Sequence, residues 1–375
     1  MKYSLKYLIV SPLFVVVFLT MLMFSVNLFV LDENWGWGHN VYLLGVLCFS
    51  VSYTVTLASF TLVGLSKRGG KVNKPYTLVV RLYWGLAIIG LVLSVYKIYR
   101  FGILGAQDQV LLNLRIANTW EGQPSYGAQH FSLFALCLAL YYTQQRRALY
   151  CILAAIIYLI SALSMAERTT ILFLFVAVSY MAVDIGWVKL KGLLVFLAIL
   201  IFLLIAVAVG TGKTGGENPY DFIFSYFGYA VTALSQWIEG RELSGCASLV
   251  YGKLITVFSL GLYSCVDIDL GFGESDFNVL TYASAPYLYG GLIAVVLSMT
   301  GCGLVFAVLR VLATRSPGYF LALLSCYMYA LVMMFYAWQF SLTTYLYLVV
   351  ALFPVFAGRF LSGGNITYRT NIVRA

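Results

Sequence analysis

The chain is poor in charge: Asp, Glu, Lys and Arg make up 10% of its 375 residues, against roughly a quarter in soluble domains, while 62% are hydrophobic. A water-solvated globular fold is excluded. Also missing are the alternating segments of ~10 residues that a membrane β-barrel would need. Internal repeats, low-complexity tracts and soluble domains are absent as well. Histidine occurs twice, at His39 and His130, with no metal-ligand spacing between them. Of seven cysteines, Cys48, Cys137, Cys151, Cys302 and Cys326 fall inside apolar runs, where a thiol behaves as a small hydrophobe. Cys246 and Cys265 lie outside them and either pair in an oxidising compartment or remain inert thiols.

What the chain does have is apolar runs of membrane-spanning length. A hydrocarbon core of ~30 Å needs ~20 apolar residues per helix. The runs read Leu8 to Val30, Val41 to Leu65, Thr77 to Tyr96, Ala128 to Thr143, Leu149 to Ser164, Thr169 to Val183, Gly192 to Gly210, Leu288 to Leu309, Tyr319 to Trp338 and Ser341 to Ala357. Lipid offers backbone groups no partner, so helices are the economical spanning element. The sequence therefore predicts an all-α class: one polytopic helix bundle over residues 1–375, with about ten transmembrane helices. The first run resembles a signal peptide, but it is too long and lacks a small-residue cleavage site, so it reads as a span.

Charge sign orients the bundle. Of 23 basic residues, 16 fall on one side: Lys2, Lys6, Lys67, Arg68, Lys71, Lys74, Arg81, Arg146, Arg147, Lys189, Lys191, Arg310, Arg315, Arg359, Arg369 and Arg374. The other side holds Lys97, Arg100, Arg115, Arg168, Lys213, Arg241 and Lys253 with every acid except Asp184. The positive-inside rule puts both termini in the cytoplasm. The net charge of +9 is thus a topological signal scattered over short turns beside lipid headgroups, and no nucleic-acid partner is implied.

Two external segments exceed simple turns, 97–127 and 211–285. Function is expected there, on loops carried by a rigid helical scaffold. Within the second, Phe222 to Ile238 and Ala247 to Val266 are apolar enough to lie in the membrane surface or to cross it. One crossing alone would carry the C-terminal arginines outside, against the charge rule; two would give twelve spans.

Glu167 and Arg168 occupy a tight external hairpin between two spans. They read either as a solvated ion pair with a snorkelling arginine, or as a site for a phosphate-bearing ligand, which a guanidinium fork grips in bidentate fashion. Arg241, with Glu239 and Glu242 around it, is a second candidate, and Arg115 and Lys253 are weaker ones. His130, at the outer end of the fourth span, is either a hydrogen-bonded interface residue or an acid–base group. Asp267 and Asp269, followed by Glu274 and Asp276, have a spacing that some glycosyltransferases use for a metal and nucleotide sugar, but an external location favours a solvated acidic turn. No span has a central ionisable residue, and no paired broken helices appear, which weakens a transporter reading.

Three stretches together resemble the Wzy family of O-antigen and capsule repeat-unit polymerases: Ala166-Glu-Arg-Thr-Thr-Ile-Leu172, Asn218-Pro-Tyr-Asp-Phe-Ile-Phe-Ser-Tyr-Phe-Gly228 running on to Ser235-Gln-Trp237, and Asp276 through Gly291. The motif match covers 166 to 291; elsewhere the likeness is one of hydropathy. The resemblance implies an inner-membrane enzyme that joins undecaprenyl-diphosphate-linked oligosaccharides on the periplasmic face. Its partners would be that substrate, membrane lipids and a chain-length regulator. No metal and no cofactor is implied, because the diphosphate linkage already holds the energy. Arg168, Arg241, Arg115 and Lys253 would bind diphosphate. Glu167, Glu239, Asp276 or His130 would supply the base, and Tyr226, Trp237, Tyr282 and Tyr287 would contact glycan or lipid. A flippase of lipid-linked sugar and an O-antigen ligase are the alternatives.

Overall fold

The computed structural model describes residues 11–62, 77–105, 110–119, 128–142, 148–165, 168–186, 219–239, 281–315 and 318–335. Among them every regular element is helical: α1 (Pro12–Ser25), α2 (Trp37–Leu62), α3 (Thr77–Lys97), α4 (Val110–Thr119), α5 (Ala128–Tyr142), α6 (Ala148–Met165), α7 (Arg168–Ile185), α8 (Pro219–Glu239), α9 (Ser284–Arg315) and α10 (Tyr319–Val332). π-Helical turns extend α1 over Val26–Val30 and α3 over Ile98–Ile103, and a 3-10 turn, Met333–Phe335, follows α10. The spans expected at 192–210 and 341–357, with Cys246 and Cys265, lie outside the described residues.

Among the described residues four helices are long and apolar enough to cross a membrane: Pro12–Val30, Trp37–Leu62, Tyr83–Ile103 and Ser284–Thr314. Ser132–Tyr141, Leu149–Ser164, Ile171–Ile185 and Tyr319–Val332 are apolar but shorter. The surface of α2 illustrates the solvent these helices are built for. Val41, Tyr42, Gly45, Val46, Phe49 and Tyr53 are buried, yet the opposite stripe of Leu43, Leu47, Val51 and Val55 is exposed and equally apolar. A helix hydrophobic all round needs lipid or protein on every side.

The chain divides into two compact units. The first gathers Met1–Ser59, Val178–Val308 and Tyr327–Tyr345. Its core joins α2 to α9 through direct backbone approach. A Cβ on Gly303 would stand 2.5 Å from the Phe49 carbonyl oxygen and 3.1 Å from the Tyr53 nitrogen, so only glycine lets the two helices meet there. The Ser52 hydroxyl donates to the Thr300 carbonyl at 2.7 Å. Nearer the start of α2, the Tyr282 ring lies 4.8 Å from that of Tyr42, and its hydroxyl donates to the Tyr42 carbonyl at 2.6 Å. Residue numbers rise together along both helices, so α2 and α9 run in the same direction. Tyr282→Phe keeps the ring and deletes this buried bond; the expected loss is about 1 kcal/mol, read as a lower thermal midpoint in detergent. An unchanged midpoint would assign the bond no net weight.

The tail of the third resembling stretch breaks α9. Gly290 (φ −158°, ψ 32°) and Gly291 (φ 61°, ψ −151°) leave helical geometry, and Gly291 sits in a region essentially closed to residues with a Cβ. A one-turn helix, Ser284 to Tyr289, thus precedes the long apolar part of α9. The sequence led us to expect no paired broken helices; a single break is present among the described residues.

The second unit comprises Phe60–Ala177, Leu309–Cys326 and Leu346–Ala375. In it α3, α5 and α6 pack mutually, with the Tyr83 and Phe134 rings 4.3 Å apart and Trp84 edge-on to Tyr150 at 6.0 Å. From α10, Tyr319 adds an edge contact to Phe134 at 5.2 Å. Arg310, expected just past the end of the span at Leu309, is instead carried within α9, which continues to Arg315, and is 8% exposed. Its long stem allows burial of this kind.

Candidate functional site

Arg168 is the first residue of α7, and α6 ends at Met165. The opening turn of α7 reads Arg168-Thr-Thr-Ile171. The first four N–H groups of a helix have no intrahelical acceptor, and the dipole makes this end positive. A guanidinium borne on such a terminus adds full charge to partial charge, a combination suited to phosphate oxygens. Glu167 lies outside the described residues, as do Arg241, Lys253 and Asp276.

Helix α4 folds back on the end of α3. Asn113 of α4 donates from Nδ2 to the Gly102 carbonyl at 2.8 Å, and Leu114 and Ala117 bury the same side of the helix. That contact sets the position of α4, which carries Arg115. His130 is the third residue of α5. At the end of α3, Lys97 is 1% exposed, an unusual burial for an ammonium, whereas Arg100 is exposed and donates to the Tyr96 hydroxyl at 2.8 Å. The sequence had placed Lys97 only as an external charge.

The most complete polar constellation among the described residues lies in the first unit, where α8 meets the connection between α1 and α2. Asn27, in the π turn after α1, donates from Nδ2 to the Gly228 carbonyl at 2.8 Å and to Thr232 Oγ1 at 2.9 Å. Its Oδ1 lies 2.7 Å from Nε2 of His39, and the Gly36 N–H donates to Nδ1 of the same ring at 3.0 Å. Because Nδ1 receives a proton donor, it carries no hydrogen, so Nε2 is protonated and donates to Asn27. The Gly38 N–H donates to Ser235 Oγ at 2.8 Å. Asn27 and His39 are both fully buried, and Trp35 stacks on the imidazole at 4.9 Å while Phe24 meets it edge-on at 5.4 Å. Asp32, with φ 53°, turns the chain between the helices, a conformation that Asp tolerates. Every imidazole nitrogen is spent on fixed partners, so His39 is a fastener and not a free base.

The network ties down the helix that holds much of the second resembling stretch. Along α8, Ala230, Val231, Ala233, Leu234, Trp237 and Ile238 are buried, while Gln236 and Glu239 are exposed. Trp237, at 7% exposure, and Tyr282, fully buried, are packed inside the protein. Tyr287 is half-buried near the start of α9, and Tyr226 lies in the first half of α8. Sequence reading missed Asn27 and treated His39 only as a second histidine. The available signal was a lone amide inside an otherwise apolar first run, and nothing local pointed to a partner 201 residues away.

Among the described residues no group of three or more His, Cys, Asp or Glu is gathered as a metal site. No family model, no curated protein and no solved structure matches this chain.

Proposed function

We propose that the chain is a Wzy-type repeat-unit polymerase of the bacterial inner membrane, with ten or twelve spans, both termini cytoplasmic and its working face periplasmic. The observation that carries this reading is Arg168 at the N-terminal residue of α7, directly after the α6–α7 hairpin. The charge-sorted connections and the three resembling stretches support it from the sequence.

In this reading an acceptor hydroxyl of the incoming lipid-linked unit attacks the anomeric carbon of the growing chain. The new glycosidic C–O bond forms as the bond from that carbon to the diphosphate oxygen breaks. The hydroxyl proton passes to a base, for which Glu167, Glu239, Asp276 and His130 are the candidates, and undecaprenyl diphosphate departs as an anion. Charge concentrates on phosphate oxygens as the anomeric carbon becomes cation-like, so preorganised cations stabilise that state most. Arg168 is assigned this role first and Arg241 second, with Arg115 and Lys253 in support. Direct displacement inverts the anomeric centre.

The test is the purified full chain in detergent, given lipid-linked repeat units. Lengthening without a gradient or second compartment is the expected result. No lengthening, with movement of the same lipid across proteoliposomes, would make the protein a flippase. Persistence of lipid-linked polymer in cells lacking the lipid A core acceptor separates it from a ligase.

A further inference from the structure

We propose that Asn27 and His39 are positioning residues forming a proton-sensitive latch, which holds the C-terminal half of α8 against the α1–α2 connection. The first part rests on geometry alone. Asn27 cannot exchange its amide oxygen and nitrogen, because Nδ2 already donates to two acceptors on α8, the Gly228 carbonyl and Thr232 Oγ1. Its oxygen is thereby aimed at Nε2 of His39, and Nδ1 is engaged by the Gly36 N–H. Only the neutral Nε2–H tautomer satisfies both neighbours. A second proton, on Nδ1, would set N–H against N–H at Gly36 and place a charge among buried neutral groups, which is costly without an anionic partner.

Among the described residues none lies in direct contact. From α1 the imidazole meets Phe24 and Asn27; from the connection, Trp35 and Gly36, with Asp32 exposed and Glu33 half-exposed earlier along it. The adjoining part of α8 contributes Thr232 and Ser235, with exposed Glu239 one turn on, and the following turn of α2 itself carries Tyr42. Proton uptake at His39 therefore loosens the π turn, the start of α2 and α8 together. Taken with the polymerase reading, on which this second part rests, the latch keeps the 218–237 stretch in register for substrate, and acid uncouples it.

The experiment is hydrogen exchange of the 228–238 amides in the purified full chain, at about pH 7.5 and about pH 5, corrected for intrinsic rates. Wild type is expected to lose protection about tenfold or more at the lower pH. His39→Gln keeps a donor toward Asn27 but does not titrate, so its protection is expected to be equal at the two values. Asn27→Leu is expected to lose protection at both, and if that variant does not fold, the wild-type and His39→Gln pair still decides. Equal wild-type protection at both pH values overturns the latch, as does an acid loss in His39→Gln matching that of wild type. Exchange reports α8 and not polymer, so failure of the polymerase reading leaves this test intact.

Discussion

Arg168→Ala is expected to abolish long-chain polysaccharide while the protein still inserts into the membrane at normal abundance. The residue opens α7, where backbone N–H groups and the dipole already favour an anion. Removing one preorganised donor from a developing oxyanion typically costs ~10²–10³ in rate, or ~3–4 kcal/mol, and on the polymerase reading the loss of a full charge belongs at the upper end. Single-unit addition would then stay visible while the ladder of longer products disappears from a gel of cell-surface glycan. Arg168→Lys retains charge but not the planar fork, so recovery should be partial. A normal ladder from the alanine variant removes Arg168 from the site. Reporter fusions that put the α6–α7 hairpin inside the cell would dismiss the polymerase assignment altogether.

The second large effect is structural. Gly303→Leu places a branched side chain where a bare Cβ already meets the Phe49 carbonyl at 2.5 Å. The obstacle is backbone of α2, which cannot rotate away as a side chain can, so the helices must part. Overpacking of this kind costs ~1–3 kcal/mol when side chains yield, and more when they cannot. Loss of the monodisperse peak in detergent, or a thermal midpoint many degrees lower, is the expected reading. Two residues earlier, Gly301 faces open space within 4 Å, so Gly301→Leu is the matched control and should be neutral or slightly stabilising through helix propensity. Equal behaviour of the two variants would mean that the close approach of α2 and α9 carries no weight.

How much of this was legible in the sequence follows from the range of each interaction. Helices such as α2, α6 and α10 could be read because a long run of consecutive apolar residues is a local property. The break at Gly290 and Gly291 was visible as a pair of glycines, but their geometry depends on what packs around them. The burial of Lys97 and the Asn27–His39 fastening were not legible, since each requires knowing which distant segment returns to the same place. Tyr282 and Trp237 were read as rings that contact glycan or lipid, because an aromatic near a long connecting segment looks the same in sequence whether it faces outward or packs inside. For Arg168 the chemistry was legible in the residue itself, and the fold added a position, the first residue of a helix.

The shared direction of α2 and α9 has an arithmetic consequence. Two helices that thread one bilayer in the same sense are separated by an odd count of traverses. Between Leu62 and Ser284 the expected spans give five, and admitting both apolar stretches of the long loop gives seven. In the proposed topology six has no place: ten spans and twelve both keep α2 and α9 in one sense, and eleven does not.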